Sequence, residues 1–243
     1  MNNKFIIDDE FQKLLCIQRH SCRSNRQKVS KFDGEDLYKD LSIVYDIFEE
    51  HLPKPVTNVL DVGCGLGYID VVIHDRYTLR QPLNFYMFDA LDTLVSGQVK
   101  NFYSNLNLTK KFMLAHGANE NNIFLVDALK TGSERSINED PECFSGLPKM
   151  DLVVSMYSWG WHFSIEKYIK EVSNIMNTGG LLVLEMKDHT HSRANRHPAY
   201  GLDWNGREAL INNNGFNLVD IVKRENAQAG EGSKRHLFIA RKL

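Results

Sequence analysis

One short segment constrains the fold of this chain more than any other. The apolar run Asn58–Val62 leads directly into a loop with three glycines, Gly63, Gly65 and Gly67, and an amphipathic stretch follows. Glycine lets the backbone turn sharply and lets a ligand approach without Cβ atoms in the way. A strand that ends in such a loop and continues as a helix is typical of α/β folds that bind nucleotide-like ligands.

After Pro55 the chain alternates between short apolar strands and amphipathic helices. Helices are predicted after Gly67, from about Leu106 to Ala115, from Ser164, and from about Gly206 to Asn214. This alternation predicts an α/β, Rossmann-like, mostly parallel sheet of seven strands with helices on both faces. The predicted strands are Asn58–Val62, Asn84–Phe88, Ile123–Val126, Leu152–Ser155, Leu181–Met186, Phe216–Lys223 and His236–Arg241.

The helix that begins at Ser164 has a well-defined apolar face, which runs from Ile165 to Met176 at helical spacing. The pair Gly179 and Gly180 is expected to end this helix.

The last two predicted strands are joined differently from the others. A polar, glycine-containing loop separates Phe216–Lys223 from His236–Arg241, and it has no helical pattern. A parallel crossover usually needs a dozen or more residues with a helix. We therefore expect an antiparallel hairpin at the end of the chain.

The first 55 residues differ in pattern from the rest. A basic stretch without acids runs from Lys13 to Lys31, and apolar residues then recur at helical spacing from Leu37 to Leu52. We interpret residues 1–55 as a helical N-terminal cap or lid and residues 56–243 as the ligand-binding domain. The basic stretch is typical of a solvated helix face, and recognition of a phosphate or carboxylate on a substrate is the alternative.

Acidic side chains stand at the ends of three successive strands. Asp61 precedes the glycine loop, where a carboxylate would repel a pyrophosphate and attract an ammonium group. Asp89 is placed to accept hydrogen bonds from both hydroxyls of a ribose, and Asp127 can accept one from an adenine amino group. Strand ends of this kind line the ligand crevice of doubly wound sheets.

Residues 56–243 resemble the class I S-adenosylmethionine-dependent methyltransferases. The resemblance rests on Leu60–Gly67, Asp89, Asp127–Ala128, Met150–Ser155 and Asn177–Leu184, and on the closing antiparallel strand. It implies that the glycine loop cradles the methionine part of the cofactor, that Asp89 holds the ribose and that Asp127 contacts the adenine. The predicted cofactor-binding residues are Asp61, Gly63, Gly65, Gly67, Asp89, Asp127, Ala128 and Ser155.

An NAD-binding Rossmann dehydrogenase is the alternative for the same glycine loop. The position of Asp61, the Gly-x-Gly-x-Gly spacing and the final hairpin favour the methyltransferase.

The segment after the fourth strand is rich in aromatic residues and contains a histidine. His162 is the first candidate for a base that takes a proton from a hydroxyl acceptor, because an imidazole titrates near neutral pH. Tyr157, Trp159 and Trp161 are expected to line the acceptor site. The alternative is structural: the tryptophans pack the sheet edge and His162 caps the next helix.

The loop after the fifth strand is the second candidate for acceptor chemistry. His189 is the alternative base, and Asp188 is expected to contact the acceptor. Members of the family that use a metal need a carboxylate at the end of the fourth strand, where Met156 stands here. We therefore predict no metal.

Composition limits the partners. The chain has 243 residues, a net charge of −2 and four cysteines without Cys-x-x-Cys spacing. A global positive field that attracts nucleic acid is absent, no apolar run approaches the roughly 20 residues of a membrane span, and the acidic N-terminus does not resemble a signal peptide. We expect a cytoplasmic protein with reduced thiols that acts on a small molecule; its oligomeric state stays open.

The sequence thus predicts a methyltransferase that uses S-adenosylmethionine and methylates a small molecule, on oxygen, with a histidine base. Two alternatives stay open. One is an RNA or protein methyltransferase that uses the basic N-terminal stretch, and the other is a cofactor-binding subunit without catalytic activity.

Overall fold

Seven strands form one sheet in the computed structural model, which describes residues 4–14, 33–77, 81–89, 105–128, 144–156, 158, 165–187, 202–225 and 234–243. The strand order is β3-β2-β1-β4-β5-β7-β6. Strand β7 is antiparallel to both of its neighbours and the other six strands are parallel, so the predicted Rossmann-like sheet with a closing hairpin is confirmed. The strands are β1 (Asn58–Val62), β2 (Asn84–Asp89), β3 (Ile123–Asp127), β4 (Met150–Met156), β5 (Met176–Lys187), β6 (Phe216–Glu225) and β7 (Lys234–Lys242).

Helices cover both faces of this sheet. Alternate residues of β1 enter different apolar cores: Val59 packs with the first three helices, and Leu60 packs with the last two. Each face of a buried parallel strand must be apolar, which explains the continuous hydrophobic runs in the sequence. The helices are α1 (Gly34–Glu49), α2 (Tyr68–Tyr77), α3 (Leu106–Ala115), α4 (Ile165–Ile175) and α5 (Trp204–Asn213), with a 3₁₀ turn at Glu120–Asn122.

Local capping explains where two of these helices begin. The Asp33 side chain accepts hydrogen bonds from the backbone N–H groups of Glu35 and Asp36 at the start of α1. The Asn105 side chain accepts one from Leu108 at the start of α3. These side chains satisfy N–H groups that have no partner within the helix.

The junction between α4 and β5 differs from the prediction. Helix α4 ends at Ile175, and Met176 begins β5, so the prediction that Met176 belongs to the apolar face of the helix was wrong. Met176 pairs with Met150 on β4, and the register then shifts before Leu152 pairs with Leu181. The helix thus ends, and backbone pairing with β4 begins, before the chain reaches Gly179 and Gly180.

A buried charge network joins α1 to the strands β5, β6 and β7. One carboxylate oxygen of Glu185 on β5 accepts a hydrogen bond from Arg224 Nη1 at 2.6 Å, and the other oxygen accepts one from Arg235 Nη1 at 2.8 Å. Arg224 also contacts Asp40 of α1 at 3.1 Å. Two buried guanidinium groups therefore share the buried Glu185 carboxylate, and Arg224 also joins it to Asp40.

Replacing Glu185 by alanine leaves both guanidinium groups without this counter-ion. We expect Glu185→Ala to lower the free energy of unfolding by about 3–5 kcal/mol, measured by chemical denaturation. Glu10→Ala is the matched control, because Glu10 makes an ion pair with Lys111 in which both side chains are about half exposed. Equal losses in the two variants would contradict a structural role for the network.

The N-terminal residues pack into the same core as α1, α2 and α3. The Phe5 ring contacts the rings of Tyr38, Tyr68 and Phe112 at centroid distances of 5.2–5.7 Å. Its backbone N–H donates to the carbonyl of Gly34 at 3.1 Å. The division of the chain into a cap and a domain at residue 55 stays a prediction.

A neutral histidine ties this N-terminal segment to α3. His116 Nε2 accepts from the Ile6 N–H at 2.8 Å, so the ring proton is on Nδ1, which donates to the Phe112 carbonyl at 2.8 Å. Burial lowers the pKa of His116, because desolvation disfavours the imidazolium form. Protonation of Nε2 would break the bond to Ile6.

The pKa of His116 is lower in the folded protein than the ordinary value near 6.5, so the folded state favours the neutral imidazole. The contribution of His116 to stability is complete above that ordinary value, and it is lost as the pH falls through the folded-state pKa. We expect the difference in the free energy of unfolding between the wild type and His116→Gln, measured in urea, to shrink from about pH 7.5 to pH 5. A difference that does not change with pH would contradict the assignment.

Among the residues that the structure describes, no helix combines the length and the apolar character that a membrane span requires.

Candidate functional site

The carboxyl ends of β3, β2, β1 and β4 form one continuous edge. Asp127 and Asp89 are the last residues of β3 and β2, and they are partners in the register of the sheet. Val62 ends β1 beside Phe88 of β2, and Asp61 pairs with Val154 of β4 on the other side. The strand order reverses between β1 and β4, and ligands of doubly wound sheets bind at this point.

Backbone hydrogen bonds to β2 fix the glycine loop at this edge. The N–H groups of Gly63 and Cys64 both donate to the Phe88 carbonyl, at 2.7 and 3.2 Å. The Gly65 N–H donates to Asp89 Oδ2 at 2.8 Å. The loop backbone is therefore held against the end of the neighbouring strand.

The loop requires its glycines for two different reasons. Gly63, Gly65 and Gly67 have φ angles of 78°, 57° and 78°, a region that other residues rarely adopt. A Cβ at Gly67 would also lie 2.8 Å from Cε of Met87. The predicted role of the glycines in shaping the loop thus has a structural basis.

Thr109 is a residue of this site that the sequence analysis missed. Its buried hydroxyl lies within hydrogen-bond distance of two carbonyls, those of Gly65 in the loop and Asn105 in its own helix. A threonine inside a helix gives no signal in the sequence, because only the packing of α3 against the loop reveals the contact.

Asp61 and Asp70 form a pair of buried carboxyl groups behind the glycine loop. Asp61 is 2% exposed and Asp70, in the first turn of α2, is fully buried. No hydrogen-bond donor in the described part of the chain contacts Asp61 Oδ1 or either oxygen of Asp70. The sequence predicted Asp61 but not Asp70, because an acid in the first turn of a helix is ordinarily an exposed residue that favours the helix dipole.

The two carboxyl groups cannot both be ionised without cost. Desolvation, followed by the charge of Asp70, raises the pKa of Asp61 well above its ordinary value. Desolvation also raises the pKa of Asp70, while a hydrogen bond with Asp61 acts in the opposite direction. The pair therefore holds a proton that an isolated aspartate would have lost.

Asp89, Asp127 and Ala128 lie side by side at the ends of β2 and β3, and their roles toward the ribose and adenine of the cofactor stay predictions. The Ala128 N–H donates to the Asp89 carbonyl at 2.8 Å, which continues the pairing of β2 with β3. One oxygen of Asp89 accepts from Gly65, and a carboxylate has further lone pairs for a ribose hydroxyl.

Ser155 lies inside the sheet near the same edge. Its buried hydroxyl donates to the Val62 carbonyl at 2.7 Å and thereby ties β4 to the end of β1. Its assignment as a residue that touches the cofactor stays a prediction.

The residues predicted for the acceptor lie outside the described residues. The chain is described up to Met156 and at Ser158, and again from Ile165 to Lys187. The candidates in question are Tyr157, Trp159, Trp161, His162, Asp188 and His189.

The described residues fit a cofactor that carries a positive charge. No donor among the described residues contacts Asp61 Oδ1 or the carboxyl oxygens of Asp70, and negative charge here would repel a pyrophosphate and attract an ammonium group. The adjoining loop has no side chain at Gly63, Gly65 and Gly67, and Asp89 supplies a carboxylate for hydroxyl groups. This arrangement matches S-adenosylmethionine, with its ammonium and ribose, better than a dinucleotide.

Comparisons with known proteins agree with this conclusion. The protein family described as "Methyltransferase domain" matches residues 17–221 of the chain. No curated protein sequence matches it.

Several solved structures share the fold at low sequence identity. An S-adenosylmethionine-dependent methyltransferase from Clostridium acetobutylicum has a TM-score of 0.54 and 14% identity over 84% of this chain and 92% of its own. A methyltransferase of the same cofactor class from Aquifex aeolicus has a TM-score of 0.54 and 14% identity, with coverage of 88% and 100%. The StiE O-MT domain has a TM-score of 0.55 and 15% identity, with coverage of 86% and 75%.

The fold, the glycine loop with its acidic partners and the family match lead to one assignment: the chain belongs to the methyltransferase-domain family and is a class I S-adenosylmethionine-dependent methyltransferase.

Proposed function

We propose that this methyltransferase transfers the methyl group to a hydroxyl oxygen of a small molecule, with His162 as the base. One observation carries the proposal: strand β4 ends beside the glycine loop. Asp61 and Val154 are direct partners in the sheet, and β4 ends two residues later at Met156. Neighbouring strands lie about 4.8 Å apart, so Met156, the last residue of β4, lies next to the cofactor site.

The residue types of the segment that follows Met156 suit an acceptor site. Trp159 and Trp161 supply large apolar surfaces that can enclose an acceptor and exclude water. His162 follows at once and supplies a group that takes up a proton near neutral pH. We therefore assign these residues, with Tyr157, to the acceptor.

In this proposal the cofactor supplies the methyl group, and the protein positions the acceptor and removes its proton. When bound, S-adenosylmethionine would supply an electrophilic methyl group on a positively charged sulfur, with the neutral thioether as the leaving group for the new C–O bond. The protein aligns the acceptor oxygen with that methyl group, and the His162 imidazole accepts the hydroxyl proton as the bond forms. The glycine loop and Asp89 hold the cofactor in the matching position.

The choice of oxygen as the acceptor atom depends on the histidine. A neutral amine can attack a methyl group before it loses a proton, whereas a hydroxyl becomes a good nucleophile only as its proton leaves. The StiE O-MT domain is named for the same chemistry, although at 15% identity its likeness supports the fold alone.

Replacing His162 by glutamine tests the assignment of the base. We expect the turnover number to fall by about 10²- to 10⁴-fold, because general base catalysis contributes about that much. The affinity for S-adenosylhomocysteine should stay unchanged. The measurement is S-adenosylhomocysteine formation with a panel of hydroxyl-bearing small molecules.

His189→Gln is the matched control for this experiment. It should keep most of the turnover, and the pH profile of the wild type should rise with pH as the base loses its proton. Full turnover in His162→Gln would contradict the assignment, and a selective loss in His189→Gln would move the role of base to the loop after β5.

A further inference from the structure

The two buried carboxyl groups lie on different elements at the glycine loop. Asp61 is the next-to-last residue of β1, at the edge of the sheet where the ligand crevice lies, and it is 2% exposed. Asp70 lies in the first turn of α2 and is fully buried, and its Oδ2 lies 3.5 Å from the place where a Cβ at Gly67 would stand. The Asp70 carboxyl is close enough to hydrogen bond with Asp61 once either group carries a proton.

The carboxyl oxygens of Asp70 have no donor from another side chain among the described residues. Leaving a buried polar group unpaired is costly, and leaving a buried charge unpaired costs more. The neighbouring carboxyl group of Asp61 is the group that Asp70 can affect.

Building on the proposed function, we propose that Asp61 and Asp70 act as one unit with a single negative charge and one shared proton, which receives the ammonium group of the cofactor on Asp61 and keeps the proton on Asp70. In this arrangement Asp61 binds the ligand and Asp70 is a positioning residue that donates a hydrogen bond to Asp61.

Ligand binding fixes the position of the shared proton. In the free protein the pair holds a proton, because burial raises the pKa of both carboxyl groups. The arriving ammonium group needs a carboxylate on Asp61, so the proton then stands on Asp70, which donates it to Asp61. No proton is exchanged with solvent while the pair carries one negative charge.

Acidification changes this balance. The pKa of Asp70 is raised to about 6, so below that pH the pair takes up a second proton and becomes neutral. Binding of the ammonium group must then release one proton to solvent. The affinity should consequently be constant above about pH 6.5 and fall by up to tenfold per pH unit below about pH 6.

The other titratable groups near the pair do not change this prediction. Asp89 at the end of β2 adds a negative charge that raises the pKa of Asp61, and it is common to all the variants below. Burial and the three nearby aspartates raise the pKa of the Cys64 thiol, which therefore stays neutral in this range. Met87 and Met113, the other side chains near Gly67, do not titrate.

The test is calorimetric binding of S-adenosylhomocysteine from about pH 5 to pH 7.5, where its amino group stays protonated. Three variants of the full chain separate the roles. Asp61→Asn removes the carboxylate proposed to bind the ligand and should weaken binding at least tenfold at every pH. Asp70→Asn keeps a donor next to Asp61 and should bind within a few-fold of the wild type at pH 7.5.

The decisive variant is Asp70→Leu, which keeps the branching of the aspartate side chain and has no donor. Asp61 then stands alone in a buried site and holds its proton to higher pH. We expect at least tenfold weaker binding near pH 7 and an affinity that keeps rising with pH across the whole range. Identical profiles for Asp70→Leu and Asp70→Asn would show that Asp70 only fills space and would overturn the proposal.

Methylthioadenosine is the matched ligand control, because it keeps the adenine, ribose and thioether and lacks the amino acid part. Its affinity should not depend on pH in this range or on the three substitutions, and its binding shows that each variant is folded. Asp70→Asn, the mildest change, keeps the comparison possible if Asp70→Leu does not fold.

Two negative results have different meanings. If the wild type binds neither ligand, the cofactor assignment fails and the carboxyl pair fails with it. If the wild type binds both ligands with a flat pH profile, the cofactor assignment stands and the proposal of a shared proton is overturned.

Discussion

The hydrogen bonds from the glycine loop to the end of β2 hold the functional edge of this protein together. Gly63 and Cys64 donate to the backbone of Phe88, and Gly65 donates to the side chain of Asp89. These bonds fix the loop relative to the residue that is predicted to bind the ribose. A change at either end of the Gly65–Asp89 bond therefore affects both the shape of the loop and the chemistry of the site.

Charge is distributed unevenly around this edge. Carboxyl groups gather behind and beside the loop, at Asp61, Asp70 and Asp89, whereas Glu185 on β5 is neutralised by Arg224 and Arg235. In the first group, no donor among the described residues contacts Asp61 Oδ1 or the Asp70 oxygens, and the negative charge suits a positively charged ligand. Glu185 is neutralised by its arginines and stabilises the contact between α1 and the end of the sheet. Carboxyl groups are thus predicted to serve binding in one place, and they stabilise the fold in the other.

The sequence was sufficient for the fold because strand and helix periods are local signals. Strand β1 and helix α3 have the predicted ends, and the separation of the last two strands correctly indicated a hairpin. Met176 was misplaced because its helical spacing is also compatible with a strand, and only pairing with Met150 decides between them. Such pairing joins distant residues, and no local pattern reports it.

The candidate site shows the same limit. Asp61, Asp89 and the three glycines could be predicted, because strand ends and sharp turns have recognisable local sequence patterns. Asp70 and Thr109 could not, since their roles arise when α2 and α3 pack against the loop. A buried acid and an exposed acid look alike in a sequence, and only the folded structure shows that Asp70 is fully buried.

The most direct test of the account is calorimetric binding of S-adenosylmethionine, S-adenosylhomocysteine and NAD to the wild type and to Asp89→Ala. Asp220→Ala is the matched control, because Asp220 is exposed on β6, the strand at the opposite edge of the sheet from β3. The account predicts micromolar binding of the first two ligands, its loss in Asp89→Ala and its retention in Asp220→Ala. Tight binding of NAD, or no binding of either S-adenosyl compound, would contradict it.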